Sequence, residues 1–113
     1  MTRDTTDPAE LSLDALFEIL ANQQRRYTLC LLSEMDGVST AVSVLVDVLI
    51  DDLEISRDRL RMNLRHRHLP KMANYGLIKY NWQEGTIRYQ SNDRLEALLE
   101  VSERRSRSNR TTE

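Results

Sequence analysis

Residues 56–90 read SRDRLRMNLRHRHLPKMANYGLIKYNWQEGTIRYQ, and this stretch decides the fold. Ser56 is a helix N-cap residue, because its hydroxyl can accept from the free backbone N–H groups of the turn that follows. The helix it opens begins at Arg57 and turns Leu60 and Leu64 inward. Pro70 lacks an N–H and crowds the preceding turn, so the spacing predicts a kink near Leu69, then one more turn to Tyr75. Gly76 suits the left-handed position that ends a helix, with Leu77 as the apolar residue after it. Two short β-like runs follow, residues 77–81 and 86–90. The connection between them holds Trp82 at its tip and closes on Gly85, as in a hairpin.

Working upstream, Leu13, Leu16, Phe17 and Leu20 recur at i, i+3, i+4, i+7, the stripe of an amphipathic helix. Asp14 lies in its first turn, where a negative charge suits the helix dipole. Asn22 caps a second helix over 23–35, with Tyr27, Leu31, Leu32 and Met35 as its apolar set, Cys30 beside them and Gly37 as its stop. Ser39 and Thr40 can cap a third helix over 41–51. Val42, Val44, Val46, Val48 and Ile50 alternate like a strand, yet Val42, Leu45, Val48 and Leu49 fit a helical stripe, and the flanks favour helix. Downstream, a last helix capped near Asn92 presents Leu95, Leu98, Leu99 and Ser102. Residues 1–10 and 104–113 read as a disordered lead and a disordered basic tail around a single domain, 11–103. The order is four helices, a hairpin and a helix. The expected fold is mainly α with a β-hairpin: a winged helix-turn-helix with an additional C-terminal helix.

The net charge of −2 hides a marked asymmetry. Residues 1–54 carry 11 acidic and 3 basic side chains, a balance of −8; residues 55–113 carry 13 basic and 7 acidic, a balance of +6. Such a split hints at a nucleic-acid or membrane surface. Arginine outnumbers lysine 14 to 2, and its planar fork suits phosphate and guanine; codon bias in the source genome is the bland explanation. One cysteine, Cys30, excludes an intramolecular disulfide, and no zinc-ligand spacing is present. A reducing, cytoplasmic setting is expected. No signal peptide is read in the first residues, and no apolar run approaches a membrane span.

The candidate recognition helix is 57–68. Opposite Leu60 and Leu64, at 100° per residue, lie Arg59, Met62, Asn63 and His66, the expected base-contacting residues. Asparagine can bond adenine with two groups, as arginine can guanine. Arg57, Arg61 and Arg65 flank that face and, with Ser56 at the helix start, are expected to contact phosphates. Lys79 and Arg88, on opposite strands of the hairpin, add two more phosphate candidates, and Trp82 is its tip, folded back on the hairpin or touching DNA or a partner. The competing reading of this surface is a solvated arginine-rich face that binds nothing. His68 falls near the inward stripe and reads as a packing residue; with His66 it has the wrong spacing for a shared metal. Leu95, Leu98 and Leu99 are candidates for a homodimer interface or for the domain's own core. No catalytic constellation, cofactor or small-molecule ligand is indicated, and an enzyme is not expected.

Leu20-Ala21-Asn22-Gln23-Gln24-Arg25-Arg26, followed by Leu29 to Leu32, resembles the second-helix entry of many prokaryotic winged-helix regulators. The runs Leu64-Arg65-His66-Arg67-His68-Leu69-Pro70-Lys71-Met72 and Tyr75-Gly76-Leu77-Ile78-Lys79-Tyr80 look like a group of small winged-helix domains from halophilic archaea. The resemblance spans about residues 11–100. It implies a winged-helix fold and double-stranded DNA as partner, and carries over no ligand. Two features depart from the group: the aromatic turn Asn81-Trp82-Gln83-Glu84-Gly85, and the valine-rich segment 42–50. The expected function is therefore sequence-specific DNA binding in transcription regulation, with a protein-interaction module of the transcription machinery as the alternative.

Overall fold

Capping side chains set where the helices begin. In the computed structural model, which describes residues 11–35 and 37–101, Ser12 Oγ accepts from the Ala15 N–H at the start of α1 (Leu13–Leu20). Asn22 Oδ1 accepts from the N–H groups of Gln24 and Arg25 at the start of α2 (Gln23–Glu34). A two-residue strand, β1 (Thr40–Ala41), leads directly into α3 (Val42–Leu49) and a 3-10 turn, Ile50–Asp52. Ser56 Oγ accepts from the Arg59 N–H and opens α4 (Arg57–Asn63). A π turn, Leu64–His68, joins α4 without interruption to α5 (Leu69–Asn74). Strands β2 (Ile78–Asn81) and β3 (Thr86–Tyr89) follow, then a helix, α6, over 93–101. The expected lead 1–10, the tail 104–113 and Ser102 lie outside the described residues. The fold is mostly helical with a small antiparallel sheet of strand order β1-β3-β2.

The helix end at Gly76 follows its expected chemistry. Gly76 has φ +78°, its N–H donates to the Ala73 carbonyl, and the Leu77 N–H donates to the Met72 carbonyl. Those paired bonds satisfy carbonyls left over by the last turn. The disturbance expected of Pro70 near Leu69 takes the form of a π turn. The preceding turn widens, so that the Leu69 N–H bonds Leu64, five residues back. Leu64, His68 and Leu69 all turn inward as a result, and the helix continues to Asn74.

The hairpin forms where expected, with Lys79 opposite Arg88 and Asn81 opposite Thr86. Its turn is held by Asn81 Oδ1, which accepts from the N–H groups of Gln83 and Glu84, and by Gly85 at φ +67°. A third strand departs from the expected pattern. Thr40 and Ala41, expected at a helix entry, instead extend the sheet, Thr40 pairing with Ile87 and Ala41 with Thr86. The Val42 N–H donates to Gly85, so the start of α3 is satisfied by the hairpin and not by a side-chain cap.

Two apolar stripes sit in a different phase from the expected one, and that of α3 differs at one position. On α1 the buried residues are Leu16 and Ile19, while Leu13 and Phe17 are exposed. On α2 they are Arg25, Thr28, Leu29 and Leu32; Tyr27, Cys30, Leu31 and Met35 are only half-buried. On α3 Val42, Leu45 and Leu49 are buried as expected, with Val46 buried in place of the exposed Val48. The core gathers these residues with Leu60, Leu64, Leu69, Met72, Leu77, Ile87 and Tyr89. Leu95 and Leu99 belong to it as well: both are buried within the chain, and of the three leucines expected at a dimer interface only Leu98 keeps some exposure. Arg94 Nη1 donates to the Leu11 carbonyl and ties α6 to the segment entering α1.

Candidate functional site

The continuous helix formed by α4, the π turn and α5 carries the densest positive charge in the described residues. Leu60 and Leu64 anchor its inner side at 0 % exposure. On the outer side Arg57, Arg59, Arg61, Met62, His66 and Arg67 are exposed, with Asp58 as the one acid among them. With Asp58 on the helix and Asp47 beside Arg57, arginines still outnumber carboxylates on this face, and its local charge is positive.

The expected residues do not all stand free. Arg59, Arg61, Met62 and His66 are exposed, as their helical phase requires. Ser56 is exposed and caps the helix. Arg57 forms an ion pair with Asp47 of α3, both partners being exposed. Such a pair contributes at most about 1 kcal/mol, so it restrains Arg57 without removing it. Asn63 is half-buried, and its Nδ2 donates to Gln24 Oε1 at 3.2 Å. Arg65 is also half-buried. Its Nη2 donates to the Trp82 carbonyl at 3.2 Å, so this arginine clamps the hairpin to the helix. Arg65, an expected phosphate-contacting residue, thus has one of its nitrogens engaged within the chain. Arg67, not among the expected residues, is exposed on the same helix.

Lys79 and Arg88 face solvent directly across β2 and β3 from each other. Like charges at paired positions repel, and an anion between them relieves that repulsion. Trp82 is 65 % exposed at the tip. A shallow groove lined by Arg65, His66, Pro70, Tyr80 and Trp82 separates helix and hairpin.

Beneath the helix lies a polar cluster that sequence reasoning missed, apart from the inward position of His68. Arg25, 9 % exposed, donates from Nε to the Ile19 carbonyl at 2.9 Å and from Nη2 to the Glu18 carbonyl at 3.1 Å. Its Nη1 lies 3.3 Å from His68 Nδ1, and His68 Nε2 lies 3.0 Å from Gln24 Oε1. Burial first, then the charges of Arg25 and Arg67, push the His68 pKa down to about 4, so the ring is neutral at pH 7. At the surface, Glu18 accepts from Tyr75 Oη at 3.0 Å and from Lys71 Nζ at 3.4 Å, tying α1 to α5. The Tyr75 hydrogen bond, then the Lys71 charge, hold the Glu18 carboxyl below the usual range. A usable signal was present: an inward histidine needs polar partners, and Gln24 and Arg25 sit in the first turn of a capped helix.

Among the described residues, no group of three or more His, Cys, Asp or Glu side chains could hold a metal ion. No helix among them is long and apolar enough to cross a membrane. The profile of a family described as a domain of unknown function (DUF7344) matches residues 17–88. No curated protein and no solved structure matches the chain.

Proposed function

The chain belongs to the DUF7344 family, whose profile spans more than half of it, and we propose that it is a winged helix-turn-helix protein that binds double-stranded DNA in transcription regulation. In this reading α2, β1, α3, the long helix α4–α5 and the β2–β3 hairpin form the winged helix, with α1 and α6 added at its two ends. The observation that carries it is the exposed face of Arg59, Arg61, Met62, His66 and Arg67 on a helix clamped beside a hairpin. A helix of this kind fits the major groove, where arginine recognises guanine and asparagine adenine.

Arg59, Met62, Asn63 and His66 read bases. Arg57, Arg61 and Arg67 meet phosphates, and Lys79 and Arg88 add contacts from the hairpin. A homodimer suits a symmetric operator; with Leu95 and Leu99 in the core, pairing through α6 falls to Leu98 and the exposed Val101. The alternative, a protein-interaction module, draws support from the exposed Val44 and Val48 on α3 and Leu13 and Phe17 on α1. Selection of bound sequences from a random duplex pool separates the two. A DNA reader enriches one sequence pattern, whereas a protein module enriches none.

A further inference from the structure

We propose that Gln24 is a specificity-positioning residue: it fixes which way Asn63 presents its amide to a DNA base, and the polarity it transmits originates at Arg25. This rests on the reading of the α4–α5 helix as the DNA-reading element.

The direction of each hydrogen bond in the cluster is set by its donors. A guanidinium has N–H donors and no acceptor. Arg25 is held in place by two backbone carbonyls, those of Ile19 and Glu18, and turns Nη1 toward His68 Nδ1 at 3.3 Å. His68 Nδ1 must therefore accept, and the ring proton sits on Nε2. That N–H points at the Gln24 side chain at 3.0 Å, so Gln24 must present its oxygen there. The same oxygen faces Asn63, which must in turn present its nitrogen, at 3.2 Å. Reversing any one amide or the ring tautomer would set donor against donor or acceptor against acceptor. No buried side-chain nitrogen or oxygen among the described residues lacks a partner, so this arrangement is fully satisfied. Fully satisfied buried polar networks fix a single geometry.

At the surface end, one Asn63 Nδ2 hydrogen is spent on Gln24. The second N–H and Oδ1 remain, and these are the donor and acceptor that adenine N7 and N6 require. Gln24 is half-buried, and its place in the first turn of α2 is set by Asn22 Oδ1, which accepts from its N–H at 2.9 Å. Without Gln24 the Asn63 amide can turn over, and its donor and acceptor no longer meet one base consistently.

The test uses the full chain and two readouts. In the first, without DNA, nitrogen NMR of the imidazole should find His68 protonated on Nε2 at neutral pH, and the Asn63 side-chain amide hydrogens should exchange faster in Gln24→Met than in wild type. In the second, binding is measured to the selected duplex and to copies changed at one base pair each. Asn63→Ala and Gln24→Met should lose discrimination at the same base pair, by about fivefold or more. Gln24→Glu, whose two oxygens both accept, should restore it. Gln24→Ala is measured alongside Gln24→Met, so that the outcome does not hang on the packing of one side chain. The proposal is overturned if Asn63→Ala loses the preference while both Gln24→Met and Gln24→Ala keep it, or if the His68 proton sits on Nδ1. A wild-type chain with no base preference overturns the DNA reading itself, a result distinct from either of those.

Discussion

Arg65 reaches from the long helix to the hairpin tip, where its Nη2 donates to the backbone carbonyl of Trp82 at 3.2 Å. In the same turn, position 85 is held to glycine by its backbone and not by crowding from this arginine. A Cβ at position 85 would lie 3.4 Å from Arg65 Nη1, and the Gly85 φ of +67° disfavours any side chain there. The hairpin and the helix thus share one arginine, and the position of the tip depends on it.

The first prediction follows from that contact. Arg65→Ala should leave the domain folded, with a stability loss of about 1 kcal/mol, yet speed amide hydrogen exchange in the turn 82–85. Gly85→Ala should cost about 1–2 kcal/mol through its left-handed backbone and disturb the same turn. Denaturant unfolding and residue-level exchange check both. Unchanged exchange at 82–85 in Arg65→Ala would show that the contact does not hold the hairpin.

The second concerns pH. The His68 pKa is pushed below its ordinary 6.5 to about 4, chiefly by burial. The unfolded chain takes up this proton below about pH 6.5, while the folded chain resists it until about 4. Stability therefore falls as pH drops through this window and levels off below it, by roughly 3 kcal/mol at most from this residue. Glu18, its carboxyl held below the usual range, acts in the same direction at still lower pH. Denaturant unfolding between pH 7 and 4 should show the decline, and His68→Gln should flatten it. An equal slope in wild type and variant would remove His68 as the cause.

The features legible in the sequence were local ones. The Ser56 cap, the Gly76 stop and the hairpin closed by Gly85 each depend on a few adjacent residues whose chemistry admits few alternatives. The phase of α2 was hidden because Arg25 and Thr28 occupy buried positions, where an apolar pattern has no place for them. Likewise, β1 is two residues long and exists through pairing with a strand far downstream, for which no local signal exists. The π turn changes the angle per residue after Leu64, so a face extrapolated at 100° loses accuracy there, and Arg65 is engaged with the hairpin. Asn63, by contrast, falls opposite Leu60 and Leu64 by periodicity, but its tether to Gln24 is 39 residues away in sequence and outside any pattern.

The third prediction separates core from interface on α6. Leu95 is fully buried within the chain, so Leu95→Ala should destabilise it by about 2–5 kcal/mol. Leu98 is half-buried, and Leu98→Asp should give a folded monomer if α6 pairs two copies. Light scattering and thermal unfolding of the two variants distinguish the roles. A wild-type chain that is monomeric at micromolar concentration would contradict pairing.

The central claim, that the α4–α5 helix meets DNA, is tested most directly by one salt titration. Wild type, Arg61→Ala and Asn63→Ala are each titrated with selected and random duplex at several salt concentrations. Arg61→Ala should weaken binding to both duplexes alike and reduce the salt slope by about one phosphate contact. Asn63→Ala should leave the slope unchanged and lose about 1–3 kcal/mol of preference for the selected duplex. Binding by both variants indistinguishable from wild type, on both duplexes and at every salt concentration, would contradict the account and give the lead to the protein-interaction reading.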